Sequence, residues 1–295
     1  VTAQQLRLPA PAKLNLFLHI TGRRSDGYHL LQTLFQMLDS GDELEFSANQ
    51  SGQIQLSCND KSLEGSDNLI YRAAMALKPY AAADAGVAIV LDKKLPMGGG
   101  LGGGSSDAAT TLHALNKLWQ LNLSVAELAA IGLKLGADVP LFVEGYTAFA
   151  EGVGEKLTPV ELPEKVFLVV TPACHVSTVA VFTHPDLIRN SKAITKADVL
   201  NSFGAVDGNW LNNSDWRNDC QPLVEGLYPI VAITLQWLVE YAPSRMTGTG
   251  ASLFAEFPDE ISARRALANL PANCRGFVAR GVNRSPLLTA LEHAV

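Results

Sequence analysis

Residues 96–109 read Pro96-Met97-Gly98-Gly99-Gly100-Leu101-Gly102-Gly103-Gly104-Ser105-Ser106-Asp107-Ala108-Ala109. Six of the seven positions from 98 to 104 are glycine, and Leu101 is the exception. Glycine is costly to order, about 1 kcal/mol per residue relative to alanine within a helix, so this density needs a role for bare backbone. Without Cβ atoms, successive N–H groups can line a concave nest for an anion. The residues that follow have helical spacing, with Ala108, Leu112, Leu115 and Trp119 forming one stripe over 107–119. A helix entered at Ser105 adds its free N–H groups and the positive end of its dipole at the same place. The stretch therefore predicts a phosphate loop leading into a helix. A flexible linker would mix in serine and would not run straight into an amphipathic helix.

Three phosphate readings compete. A P-loop places Lys after its last glycine, but Gly104 stands where that Lys would be. Gly98-x-Gly100-x-x-Gly103 matches the dinucleotide fingerprint, yet 92–97 separate it from the strand expected at 87–91, and helix follows helix downstream. The third is a kinase loop like P-x-G-x-G-L-G-S-S, which Pro96 to Ser106 resemble closely, with Gly103-Gly104 added before the serines.

Outward from the loop, strands and helices are mixed rather than strictly alternating, which predicts an α+β fold. Residues 8–20 alternate: Leu8, Ala10, Ala12, Leu14, Leu16 and Leu18 on one face, Lys13, Asn15, Phe17 and His19 on the other, hence a strand with a core face and a polar face. Asp26-Gly27 marks a turn, 28–39 is mostly apolar, and strands alternate over 42–57. Ser66-Asp67-Asn68 precedes a helix beginning at Leu69, and Ser124 with Glu127 forms a capping box for a helix ending near Gly136. Ala137-Asp138-Val139-Pro140 has helix-start chemistry. Composition shifts around 155–165, which predicts domains over 1–158 and 159–295. Beyond lie a strand at 166–171, a polar helical stretch at 195–216, a helix at 227–241, the second glycine segment Thr247-Gly248-Thr249-Gly250, a strand at 252–257, a helix at 259–269 and a strand at 276–282.

Composition narrows the partners. Among 295 residues, 47% are hydrophobic, enough for a substantial core, and 23 Lys and Arg against 29 Asp and Glu give a net charge of -6. A general nucleic-acid binder needs a basic face, so none is expected as partner. Cys58, Cys174, Cys220 and Cys274 lie far apart with no zinc spacing, and are expected as idle thiols in a reducing compartment. No apolar run approaches the ~20 residues of a membrane helix, and no secretory pattern opens the chain, so the expectation is a cytoplasmic protein without a membrane partner.

Together, Pro11-Ala12-Lys13-Leu14-Asn15-Leu16, Asp26-Gly27-Tyr28-His29, the glycine tract, Leu135-Gly136-Ala137-Asp138-Val139-Pro140 and Thr247 to Gly250 resemble the GHMP kinases. Within them, the chain is similar to the 4-diphosphocytidyl-2-C-methyl-D-erythritol kinases of the non-mevalonate isoprenoid pathway. The resemblance implies an N-terminal domain like ribosomal protein S5, a C-terminal ferredoxin-like α+β domain, and an active site in the cleft between them. It implies transfer of the ATP γ-phosphoryl group, with Mg2+, to the 2-hydroxyl of a substrate carrying a cytidine diphosphate group. Lys13 and Asp138 are implied as catalytic residues, Asp138 as base. ATP is assigned to Pro96, Met97, Gly98, Gly99, Gly100, Leu101, Gly102, Gly103, Gly104, Ser105, Ser106, Asn68 and Lys94. The substrate is assigned to Asn15, Tyr28, His29, Phe182, Thr247, Gly248, Thr249 and Gly250, with Tyr28 and Phe182 on opposite faces of the base. No dedicated metal residue is named beyond a role for Ser105 or Ser106. Asp107 is expected to face away from the nucleotide as a first-turn residue. The oligomeric expectation is a monomer or weak homodimer. Another GHMP kinase, a dinucleotide oxidoreductase and an RNA-binding module are the rivals.

Overall fold

Period-two runs of apolar residues become strands here, and the longest of them organise the molecule. The computed structural model describes residues 5–204 and 210–294. β1 (Gln5–Arg23) and β2 (His29–Asn49) pair antiparallel along most of their length. The shorter strands are β3 (Ile54–Cys58), β4 (Gly86–Asp92), β5 (Ala148–Glu151), β6 (Lys156–Pro159), β7 (Val166–Pro172), β8 (Ser244–Met246), β9 (Leu253–Phe257) and β10 (Cys274–Val282). The sheet runs β3-β4-β2-β10-β7-β9-β8, with β1 on β2 and with β5 joining β2 to β6. The fold is α+β, as its mixed element order implies.

Helices Leu69–Leu77, Gly103–Leu118, Val125–Leu133 and Val139–Glu144 cover one part of the sheet and share a core with Leu8, Phe35, Met37, Leu44 and Phe46. The apolar run of β7 is buried on both faces. Phe167 and Val169 join a cluster with Phe203, Trp210, Trp216 and Phe254, while Leu168 and Val170 join one with Val231, Leu235, Leu238 and Ala263. Strands buried on both sides read as continuous hydrophobic runs, which is the pattern of 166–170.

Several expectations change. β1 has no solvent-facing side at its centre: Lys13, Asn15, Phe17 and His19 are all buried. Phe17 packs against Phe203 and Trp216, and burial of a side chain this size is worth roughly 2 kcal/mol. The two segments expected at 28–39 and from 42 are one strand, β2, continuous through Gly41. Alanine at Gly41 would set its Cβ 2.0 Å from the Ala10 carbonyl oxygen, so close pairing with β1 accounts for that glycine. The stretch at 195–216 is a helix only over Lys196–Phe203, followed by a short 3-10 turn at Trp210–Asn212, and 205–209 lie outside the described residues. The helix expected at 227–241 is Pro229–Val239, and a further helix, Gln221–Leu227, precedes it and stops there because Pro229 cannot continue it. The chain also has a last helix, Pro286–His293, capped by the Ser285 side chain with Pro at its first position. No single helix among the described residues is long and apolar enough to cross a membrane. The four cysteines are free thiols.

Candidate active site

Breaks in the β1–β2 register fall between Pro11 and Lys13 and between Asn15 and Leu18, so the strand is irregular on both sides of its two polar residues. Such bulges re-aim side chains and release backbone groups from the ladder. The released groups are reused here. Lys13 donates its N–H to Leu101 O at 3.0 Å, and Asn15 donates its own to Thr247 Oγ1 at 2.8 Å. One strand thereby ties both glycine segments to the sheet. Lys13 Nζ donates to Asn15 Oδ1 (2.6 Å) and Gly100 O (3.0 Å), and Asp138 Oδ2 lies 3.5 Å away. The Lys13 side chain is 4% exposed against 34% for Asp138, so the ammonium is held in place while the carboxylate meets solvent. Asn15 is fixed in turn by a 2.9 Å bond from Nδ2 to Thr33 Oγ1.

Asp138 occupies the cap position of helix Val139–Glu144 but makes no side-chain cap bond. Its carboxylate is left for Lys13 and for the adjoining cavity, which Asp138 and Lys13 both line.

The glycine loop holds its carbonyls and frees its amides. The oxygens of Gly99, Gly100, Leu101 and Gly102 accept from Ser252 N, Lys13 Nζ, Lys13 N and Ser106 N. Among the described residues, no backbone N–H from 98 to 105 donates to another protein group. The helix begins at Gly103, not Ser105, so the last two glycines lie in its first turn, where N–H groups have no intrahelical partner. Pro96, Met97 and the 98–105 backbone line a cavity of ≈ 440 Å³ with Asn68. Ser106 is fully buried and its Oγ has no partner.

Two glycines show a reason for the tract besides anion approach. Gly100 has φ +75°, and a Cβ there would lie 2.4 Å from the Thr247 carbonyl oxygen. Gly102 has φ +73°, and its Cβ would meet the Phe142 ring at 2.7 Å and Lys13 Cε at 3.2 Å. Gly102→Val is therefore expected to act through Phe142 and Lys13 rather than by filling the cavity. Thermal denaturation should show a loss of about 1–3 kcal/mol, from overpacking and a strained φ. Assays at saturating ATP should still show a lowered kcat. Full recovery of turnover at high ATP would contradict this.

The second segment, Thr247 to Gly250, packs on the first. Ser252 N reaches Gly99 O at 3.1 Å, Thr249 Oγ1 pairs with Thr178 Oγ1 at 2.9 Å, and Gly248 O accepts from Asn218 Nδ2 at 2.8 Å. Thr247 is buried and committed to Asn15, whereas Gly248 and Thr249 line the Lys13 cavity. Gly250 lines none of the site's cavities and packs on Met246.

A cavity of ≈ 330 Å³ holds Lys13, Asn15, Asp138, Gly100 and Gly102, the last two shared with the loop cavity. On its other side it shares Phe182 and Thr178 with a mostly apolar hollow of ≈ 540 Å³ lined by Tyr28 and His29. Tyr28 is 65% exposed, and the His29 ring stacks on Phe182 at 5.2 Å between centroids. Three hollows thus adjoin in series: bare amides, then Lys13 with Asp138, then an aromatic slot. A further cavity, ≈ 810 Å³, lies beyond 93–97 and includes neither Lys13 nor Asp138.

Asn68 and Lys94 are placed less directly. Asn68 lines the loop cavity, but its side chain caps helix Leu69–Leu77 through Ile70 N and donates to Leu63 O. Lys94 is half exposed, sits 3.4 Å from Asp92, and lines the ≈ 810 Å³ cavity instead of the loop cavity. Its neighbour Lys93, unremarked in the sequence, lines both. Lys93 Nζ bonds Asp42 at 2.6 Å and Asp107 at 2.8 Å. Burial disfavours its charge, but the two carboxylates outweigh that and raise it above the usual Lys value.

Asp107 does not face away. It is the fifth residue of its helix, buried, and borders the loop cavity with Oδ1 unpartnered. One ammonium shared by two carboxylates leaves the cluster one negative charge in excess, and burial pushes the Asp107 carboxyl up to about 7. The folded carboxyl then binds a proton through a range where the unfolded one, near 3.8, has lost it. Stability should fall as pH rises from 6 to 8, by on the order of 1 kcal/mol. Asp107→Asn should remove that fall in urea titrations at the two pH values; an unchanged pH slope would contradict the assignment.

Comparison with known proteins gives the family. Residues 68–146 match the GHMP kinases N terminal domain and 208–276 the GHMP kinases C terminal domain. The 4-diphosphocytidyl-2-C-methyl-D-erythritol kinase of Tolumonas auensis is 56% identical over 293 residues, covering 99% of this chain and 98% of that protein. The protein of the same name from Shewanella loihica is 56% identical over 284 residues, 96% of each chain. A crystal structure of 4-(cytidine 5'-diphospho)-2C-methyl-D-erythritol kinase superposes with TM-score 0.79 at 33% identity, covering 94% of this chain and 100% of that one. Homoserine kinase from Cytophaga hutchinsonii, at 16% identity and TM-score 0.69 over 97% of this chain and 96% of its own, shares the fold. With relatives this similar along nearly its whole length, the chain belongs to the 4-diphosphocytidyl-2-C-methyl-D-erythritol kinase family of the GHMP kinases.

Proposed function

We propose that this protein transfers the γ-phosphoryl group of ATP to the 2-hydroxyl of 4-diphosphocytidyl-2-C-methyl-D-erythritol, giving the 2-phosphate and ADP. The observation that carries this reading is the position of Lys13 and Asp138, 3.5 Å apart, between the amide-lined cavity and the aromatic hollow. Phosphoryl transfer asks a protein mainly for positioning and charge stabilisation. The free amides from 98 to 105 and the start of the helix hold the triphosphate. Lys13, oriented by Asn15 and Gly100 O, neutralises charge as it develops on the transferred group. Asp138 accepts the hydroxyl proton, and Tyr28, His29 and Phe182 take the cytosine.

Magnesium arrives with ATP as part of the substrate and spreads phosphate charge when bound. Among the described residues no group of three His, Cys, Asp or Glu forms a metal cluster. Asp107, with Oδ1 unpartnered, borders the loop cavity and fits a phosphate-borne cation better than a resident one, whereas Ser106 is fully buried and lines none of the site's cavities. A division at 158/159, a cytoplasmic location and a monomeric or weakly dimeric state belong to the same reading; light scattering of the purified protein tests the last.

Terminally labelled ATP, offered with a panel of alcohols that includes mevalonate and homoserine, tests the activity. Label should appear on the cytidine diphosphate substrate. Label on one of the others would overturn the assignment.

A further inference from the structure

One guanidinium organises the wall of the aromatic hollow. Arg189 donates from Nη1 to the carbonyls of Pro185 (3.2 Å) and Leu187 (3.0 Å), and from Nη2 to those of Phe182 (3.1 Å) and His184 (2.5 Å). Its Nε donates to His29 Nε2 at 3.0 Å. All three nitrogens are engaged, and the segment after helix Thr178–Thr183 is wrapped around them.

The bond to His29 has a chemical consequence. A guanidinium has no acceptor, so His29 Nε2 must offer a lone pair. The proton of the neutral ring then sits on Nδ1. Burial, followed by the nearby charges of Arg189 and Arg23, holds the imidazole below its ordinary pKa, consistent with a neutral ring. Stacking on Phe182 at 5.2 Å fixes the ring plane.

We infer that Arg189 is a specificity-setting positioning residue: by occupying His29 Nε2 it makes Nδ1–H the ring group left for a ligand, a donor that selects a pyrimidine with an acceptor opposite it. Cytosine N3 is such an acceptor, whereas uracil N3 carries a hydrogen and would oppose donor to donor. The inference rests on the cytidine reading above and adds how the base is told from its deaminated analogue. No sequence signal ties Arg189 to His29; only the fold brings positions 29 and 189 together.

Nitrogen-15 NMR of the imidazoles at pH 7.5 reads the tautomer, and calorimetric titration with CMP and UMP reads base choice without turnover. The expected wild-type result is a neutral His29 protonated at Nδ1 and a preference for CMP. Arg189→Met should lose the single tautomer and lower the CMP-to-UMP preference about tenfold, the scale of one hydrogen bond. Because that variant can also loosen 182–187, His29→Phe serves as the second test. It keeps a ring on Phe182, leaves the Arg189 carbonyl bonds in place, and should lose the same preference with ATP affinity unchanged. A wild-type His29 protonated at Nε2, or a His29→Phe protein with undiminished CMP preference, would overturn the inference. Failure of the cytidine reading shows separately, as wild-type protein that transfers no phosphate to the cytidine diphosphate substrate.

Discussion

Lys13→Ala should reduce kcat by roughly 10²–10³, the range seen when one preorganised charge-stabilising donor is removed. The argument is geometric. The Lys13 ammonium is buried, carries bonds to Asn15 Oδ1 and Gly100 O, and lies 5.2 Å from the centre of the Phe35 ring, so its position is set before any ligand arrives. A donor that needs no reorganisation is worth most when charge develops in a site that excludes water. The truncation also leaves the buried Asn15 Oδ1 without its donor, at about 1–3 kcal/mol, while Gly100 O keeps a long contact from Thr247 Oγ1 at 3.5 Å. Some loss of Tm is therefore expected along with the loss of rate. Lys13→Met keeps the stem beside Phe35 and removes the charge together with its donors, so it separates lost packing from lost charge. Steady-state kinetics at saturating ATP should show both variants deeply impaired, and a Met variant with near wild-type kcat would remove Lys13 from the reaction.

Asp138→Asn is expected to lower kcat by about 10²–10⁴, the usual contribution of a positioned general base. The substitution is nearly isosteric. The side chain makes no cap bond that the amide would break, so the helix Val139–Glu144 should be undisturbed. A fall in kcat with both KM values little changed would mark an interaction made in the transition state. If the purified variant folds as the wild type does and turns over at its rate, Asp138 is only a neighbour of Lys13.

The glycine tract, the period-two pattern of 8–20 and the capping residues at Asn68 and Ser124 are local features, and local features are legible along a chain. What escaped depends on non-local contacts. Burial of Lys13 and His19 follows from elements that close over β1 from the far end of the chain: Thr247 on Asn15, and Arg217 and Asp219 on Leu18. Gly100 needs its missing side chain because Thr247 lies against it, a pairing across more than a hundred residues. The adjacent lysines 93 and 94 cannot be told apart by composition, yet the chain just past β4 turns one inward to Asp42 and Asp107 and the other out to Asp92. By contrast, Ser285-Pro286 carried an ordinary start signal for the last helix and could have been read.

The account stands on free amides of a glycine loop aiming a terminal phosphate at an alcohol held between Lys13 and Asp138. A crystal structure with a non-hydrolysable ATP analogue and the cytidine diphosphate substrate tests it most directly. The expected result is β- and γ-phosphate oxygens within hydrogen-bond reach of the 98–105 backbone N–H groups, with the acceptor hydroxyl touching both Lys13 Nζ and the Asp138 carboxylate. A triphosphate seated in the ≈ 810 Å³ cavity beyond 93–97, or an acceptor hydroxyl out of reach of both side chains, would contradict it.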